Sequence, residues 1–420
     1  MTVMMVSVFA LLLVCAFPVG YALVIAAGSA VLFLGGVPAV IAVVKLFQPT
    51  QSFPLLAIPF FILSGSLMMS GTLGKQLVAF AAALVGRFHG GLGQVSVVGS
   101  TVFGGVSGSA VAEASALGSM LIPWQKREGY PAAFAAAVTS SSSVIAGLIP
   151  PSIPLIIYAT VSNASIASLF IAAVLPGLLL AAGMMVVCYV SGRMRSFPRL
   201  EGGGGGLRAL GASLVTAAPA LLMPVFIIAL LRLGIATPTE VSVIAVAYAI
   251  VVSTLLYRDL TLARLRDALV TTAVTTGVVM LVITASSLVG HVLITERVPA
   301  IVANWAMTVL QEPWLIILAM NLIMLFVGMF LDLPAAILLL GPTFVAIGQA
   351  IGIDPIQLGI MVAINLSIGL FTPPIGTTLF IGAAIARVPI LAVVRELWPF
   401  YLVALTVLGL ISYVPALTLY

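Results

Sequence analysis

Charge is what this chain most lacks: of 420 residues, 6% are Asp, Glu, Lys or Arg, against about a quarter in an ordinary soluble domain. With 62% hydrophobic residues and a mean hydropathy of +1.32, no water-soluble fold can cover the apolar surface. Cysteine is nearly absent. Cys15 and Cys188 both sit in apolar runs, where a lone thiol behaves as a small hydrophobe, so a disulfide framework or thiolate metal site is not expected. The two histidines, His89 and His291, fall in unrelated segments, and no HExxH, CxxC or phosphate-cradling glycine loop occurs. Ser140–Ser143 have no adjacent histidine, so the chain is not expected to be an enzyme and needs no organic cofactor. Acidic and basic residues are too dispersed to form a nucleic-acid stripe, although the net charge is +5. The apolar start has no positive n-region, so it reads as a first membrane segment rather than a cleavable signal.

What is present is a series of long apolar runs, among them Ala209–Leu231, Val241–Leu256 and Ala268–Ile294. Each approaches the ~20 residues that carry a helix across a bilayer, and the whole chain predicts roughly nine to twelve spans. A β-barrel would need short alternating segments, so the expected class is all-α and polytopic. Arg193, Arg195, Arg199 and Arg208 share one polar loop, and Arg258, Arg264 and Arg266 share another, two spans later. Both are therefore expected on the cytoplasmic side of the membrane.

The prolines carry an internal repeat. Pro131 recurs at Pro355, Pro150 and Pro151 at Pro373 and Pro374, and Pro176 at Pro399, with shifts of 224, 223 and 223. Constant spacing over three anchors predicts two homologous halves. The first spans 1–200, with a re-entrant hairpin at about 90–124 and a Pro-Pro-broken helix at about 131–162. A glycine-rich cytoplasmic linker follows at 201–208. The second half spans 209–420, with a hairpin at about 313–347 and a broken helix at about 355–385. Lys126 and Arg127 place the first hairpin turn inside, whereas counting from the Arg258–Asp267 loop places Asp354 outside, so the halves are expected to be inverted. Short segments at about 75–88 and 298–311 read as interfacial arm helices.

A Pro-Pro pair at mid-membrane removes two N–H donors and frees carbonyls on the preceding turn. Around Pro150 stand Ser140–Ser143 and Gly147; around Pro373 stand Asn365, Ser367, Gly369 and Thr372. Released carbonyls beside small polar side chains suit a hard cation and a polar substrate near the midplane. The hairpin breaks add Ser107 and Ser109 among glycines in the first half and Asp332 in the second, with Ser109 and Asp332 in register at the 223 shift. Asp332 and Glu113 are ionisable at membrane depth; each either balances a cation or caps a helix. Plain proline kinks and close small-residue packing are the structural alternatives, and His291 reads as packing.

The segments PFFILSG (Pro59–Gly65), FGGVSGSAVAEASALGS (Phe103–Ser119), SSSVIAGLIPPSIPLIIYA (Ser141–Ala159), GMFLDLPAAILLLGP (Gly328–Pro342) and GLFTPPIGTTLF (Gly369–Phe380) resemble the large membrane subunit, DctM type, of tripartite ATP-independent periplasmic (TRAP) transporters, over essentially the whole chain. The resemblance implies an elevator-type, sodium-driven symporter of the ion transporter superfamily in a bacterial inner membrane. It implies two partners, a small four-helix membrane subunit and a periplasmic solute-binding protein that delivers an organic acid. Carried over by position, it points to Ser107, Ser109 and Gly147 for one sodium site and to Asp332, Gly369 and Thr372 for the other. Ser140, Ser142, Pro150, Asn365 and Pro373 would line the substrate region. The competing classes are a stand-alone channel or proton-coupled permease, and an intramembrane enzyme, which would need a nucleophile and base that the sequence does not offer.

Overall fold

The computed structural model describes residues 1–15, 17–34, 38–69, 71–199 and 206–418. Helices dominate and no strand occurs among them. In order they are α1 (Thr2–Val14), α2 (Val19–Leu34), α3 (Ala39–Phe47), α4 (Ala57–Met69), α5 (Thr72–Val85), α6 (Gly91–Ser107), α7 (Ala110–Arg127), α8 (Ala132–Ser142), α9 (Ile153–Ser162) and α10 (Ile166–Met194). After the linker come α11 (Gly206–Arg232), α12 (Pro238–Val251), α13 (Leu262–Thr295), α14 (Val298–Val309), α15 (Pro313–Gly328), α16 (Leu333–Ile351), α17 (Pro355–Gly369), α18 (Thr377–Ala386) and α19 (Ile390–Tyr413). Residues 201–205 of the expected linker lie outside the described residues, and α11 begins at Gly206.

Among the described residues six helices are long and apolar enough to cross a membrane, and the bent pair Val40–Gln51 and Phe53–Met69 makes a seventh candidate. The remaining apolar helices have 10 to 17 residues, which is short for a bilayer. The apolar start is not a single span. Pro18 separates α1 from α2, and α2 packs along α13. The arm segments appear as α5, which lies on α6 and α11, and α14, which lies on α16.

Element boundaries recur at the spacing of the prolines. The second hairpin arm begins at Ala110 in α7 and Leu333 in α16; the broken helix begins at Ala132 in α8 and Pro355 in α17; its second piece begins at Ile153 and Thr377. The local causes differ from turn to turn. Gly108 turns the first hairpin at φ 61, where its missing Cβ would fall 2.2 Å from the Pro151 carbonyl oxygen, so no other residue fits. The turn before α17 is closed instead by Asp354, whose carboxylate accepts from Ile356 N at 3.1 Å and Gln357 N at 3.0 Å, with Pro355 at the first helical position. Asp354→Ala is expected to cost about 1 kcal/mol, the usual weight of an N-cap. A lower thermal midpoint for Ala, and little change for Asp354→Asn, checks it.

Contacts also sort the loops by end of the bundle. Lys126 Nζ donates to the Ala386 carbonyl at 2.9 Å, Tyr130 Oη donates to Pro198 O at 2.9 Å, and Arg195 pairs with Glu396 at 2.7 Å. These bonds gather Lys126, Arg195, Arg387 and Arg395 at one end. At the far end, Tyr158 Oη donates to Pro355 O at 2.9 Å, beside Asp354.

Candidate functional site

The two broken helices lie side by side at the centre. Ser140 meets Thr378, Gly147 meets Ser367, and Tyr158 meets Pro355. Residue numbers rise in one and fall in the other, so the segments run antiparallel. In the first, α8 tightens into a 3-10 turn over Ser143–Gly147, breaks at the cis Pro150-Pro151 peptide, and restarts under a Ser152 cap. The Ser152 hydroxyl accepts from Leu155 N at 3.3 Å and donates to the Gly147 carbonyl at 2.5 Å, so that freed carbonyl is already engaged. In the second, α17 ends at Gly369 and the chain passes the cis Pro373-Pro374 peptide before α18. There the Thr378 hydroxyl is shared between the Leu370 and Ser140 carbonyls, at 2.9 and 3.0 Å, while Ser140 Oγ donates back to Thr378 O at 2.8 Å. This reciprocal pair joins the two breaks directly.

Each hairpin tip is seated against the break of its own half. A Cβ at Gly104 would lie 2.7 Å from Ala146 Cα, and one at Gly369 would lie 2.2 Å from the Gly328 carbonyl oxygen. Gly108 abuts Pro151, and Ile375 N donates to Met329 O at 3.2 Å. Backbone thus meets backbone at both tips, which glycine alone permits. The sequence signal for this was the glycine content of the hairpin breaks.

The individual candidates divide into two groups. Ser107 is buried, with Gly65 of α4 against its backbone, and its hydroxyl lies 3.5 Å from Ser109 N. Ser109 caps α7 through Ala112 N at 3.4 Å. Thr372 turns its hydroxyl to Ile368 O at 2.6 Å. Asp332 occupies the N-cap position of α16 without a side-chain capping bond; Leu333 offers the backbone N–H beside it. It is surrounded by protein yet its side chain stays open to a water-sized probe, as in a narrow crevice. No hydrogen bond among the described residues joins Ser107 or Ser109 to Gly147, or Asp332 to Thr372. Ser142 and Asn365 instead tie each broken helix to its hairpin: Ser100 Oγ donates to Ser142 Oγ at 2.9 Å, and Asn365 Nδ2 donates to Asn321 Oδ1 at 2.8 Å. Asn321 continues to Ser412 Oγ at 3.0 Å. Ser142 and Asn365 stand 223 residues apart, so these ties occupy matching places.

Ser100, Ser152, Asn321 and Thr378 were not singled out by sequence reasoning. Each sits in a largely apolar stretch, and only folding reveals its partner. Among the described residues, four buried oxygens of the two broken helices keep no hydrogen-bond partner: Thr139 Oγ1, Asn365 Oδ1, Thr377 Oγ1 and Ser367 Oγ, the last 3.1 Å from where a Cβ on Gly147 would stand. Buried unpaired oxygens are uncommon and call for a ligand or another explanation. All four are neutral amide or hydroxyl oxygens.

Apolar spans around two broken helices and two helical hairpins define a multi-pass helical membrane protein. Residues 6–417 match the family model described as "Tripartite ATP-independent periplasmic transporter, DctM component", and the chain belongs to this family of TRAP large permeases. It is 52% identical to the Sinorhizobium fredii protein y4mL over 420 residues, covering 100% of both chains. It is 38% identical to the C4-dicarboxylate TRAP transporter large permease DctM of Pseudomonas aeruginosa over 376 residues, 90% of this chain and 88% of that one. Identity to the sialic acid TRAP transporter large permease SiaM of Vibrio cholerae is 36% over 408 residues, 97% and 95% of the two chains.

Proposed function

We propose that this TRAP large permease imports an organic acid across the bacterial inner membrane by sodium symport. A small four-helix membrane subunit completes it in the lipid bilayer, and a periplasmic solute-binding protein delivers the carboxylate. The observation that carries the reading is the antiparallel crossing of two Pro-Pro-broken helices, each with a hairpin tip seated in its break. Antiparallel pairing is what inverted repeats require, and a central body of this kind moving against the long helices α11–α13 is the elevator arrangement. The partially satisfied oxygens at Asn365 and Ser367 support cation passage there. The named relatives handle C4-dicarboxylates and sialic acid, both carboxylates.

The test is reconstitution in liposomes under an inward sodium gradient, with radiolabelled sialic acid and C4-dicarboxylates. Uptake is expected only when the chain is joined by its small subunit and its binding protein. Robust uptake by the chain alone would point to a stand-alone permease, and flux that ignores the sodium gradient would point to a channel.

A further inference from the structure

A second cavity lies away from the crossing, between α3 and α13 on one side and α9 and α16 on the other. It encloses about 410 Å³, within the range of small-ligand sites. Its polar lining is neutral apart from one cation: Lys45, half-buried like the nearby His291, faces it, and none of its lining residues is acidic. Lys45 spends one donor on Gln48 Oε1 at 2.9 Å, leaving the rest of its ammonium unengaged. Ser286 is 2% exposed, lines the cavity, and its hydroxyl has no hydrogen-bond partner. Pro342 has no N–H, so the Leu338 carbonyl one turn back, also in the lining, lacks its helical donor. Glu296, the next acidic group along α13, is occupied by Thr2 through its N–H at 2.8 Å and its hydroxyl at 2.5 Å. A buried hydroxyl without a partner, an ammonium without a counter-charge and a neighbouring imidazole describe a site suited to an anion.

We infer that this cavity is a docking site for the carboxylate group of a soluble organic anion, with Lys45 as its charge partner and Ser286 and the neutral His291 imidazole as hydrogen-bond donors. The inference rests on the transport reading above for its substrate class, and names where the anion pauses between the α3–α13 wall and the α9–α16 wall. A phospholipid phosphate shares the anionic chemistry, so the experiment separates the two sources.

Gly290 lines the same cavity, and a Cβ there would meet nothing within 4 Å, so Gly290→Cys places a thiol in open space. Cys15 is exposed and is replaced by Ser; Cys188 is buried and stays. Purified protein in phosphatidylcholine nanodiscs is treated with an anionic or a cationic methanethiosulfonate of similar size. Each rate is divided by the same reagent's rate with a free thiol in solution, so the ratio of the corrected rates reports the potential at the cavity. The uncompensated Lys45 ammonium nearby is expected to favour the anionic reagent by about fivefold, and K45Q to bring the corrected ratio to about one. H291Q, which removes no charge near pH 7, should keep most of the preference, so a ratio lost in K45Q alone is not a consequence of misfolding. Millimolar succinate is expected to slow the anionic reagent severalfold in phosphatidylcholine. Equal corrected rates in the parent, or a preference that survives K45Q, overturns the site. Absence of succinate protection overturns the soluble carboxylate, and protection by phosphatidylglycerol in its place assigns the cavity to a lipid headgroup. None of these readouts depends on sodium-driven uptake, so the site can fail while the transport reading stands.

Discussion

Gly369→Val is expected to reduce sodium-driven uptake by about a hundredfold or more, the scale on which a misplacement of an ångström disables a preorganised site. The cause is steric and local. Gly328 O, C and Cα would lie 2.2, 2.4 and 2.8 Å from the new Cβ, and all three are backbone atoms of the hairpin arm that cannot rotate away. The hairpin tip must lift off the break, taking with it the Ile375–Met329 hydrogen bond that spans tip and loop. Overpacking of this kind costs about 1–3 kcal/mol, enough to shift the tip without unfolding a chain anchored by spans elsewhere. Gly369→Ala carries the same first clash and should also be inactive, whereas Gly277→Ala meets nothing within 4 Å and serves as the neutral control. Uptake and thermal midpoints measured together check it. Near-normal uptake by Gly369→Val would mean that the tip and the break need not touch during transport.

This contact illustrates how far the sequence could be read. Glycine at both tips, and prolines repeating at 223 residues, are visible as letters because each reports a backbone demand made at that position: close approach, or a missing N–H. Helix boundaries follow from the same punctuation, which is why α7 and α16, or α8 and α17, begin where the repeat places them. What the letters do not carry is pairing. Ser140 was marked as polar beside a break, but its bond to Thr378, 238 positions away, depends on the antiparallel crossing. Ser142 and Asn365 were read as substrate groups, and the fold gives each a partner on its hairpin. His291 was read as packing, and it lines a cavity whose one cation, Lys45, comes from a distant helix. A cavity is a property of surfaces that meet only in three dimensions, so periodicity and spacing give no sign of it.

Asp332→Asn is expected to raise the sodium concentration for half-maximal uptake by roughly fivefold, corresponding to about 1 kcal/mol of lost attraction between a carboxylate and a nearby cation in a partly hydrated crevice. Two features of Asp332 make this a clean test of charge. Its side chain makes no capping bond to α16, so replacing an oxygen by an amide removes no capping bond, and the thermal midpoint should hold within a degree or two. It also stands at the start of the second hairpin arm, directly after the tip that Gly369 supports, in register with the Ser109 cap of the first half. That register separates the halves chemically: a neutral hydroxyl caps one tip and a carboxylate heads the other. Ser109→Ala, which removes a cap and no charge, should therefore lower stability by about 1 kcal/mol while leaving the sodium requirement closer to that of the parent. Initial rates of uptake across a sodium series, for both variants beside the parent, make the comparison. Should Asp332→Asn keep the parent's sodium dependence while transport persists, the cation is balanced elsewhere, with the neutral oxygens of Asn365 and Ser367 as the next groups to substitute.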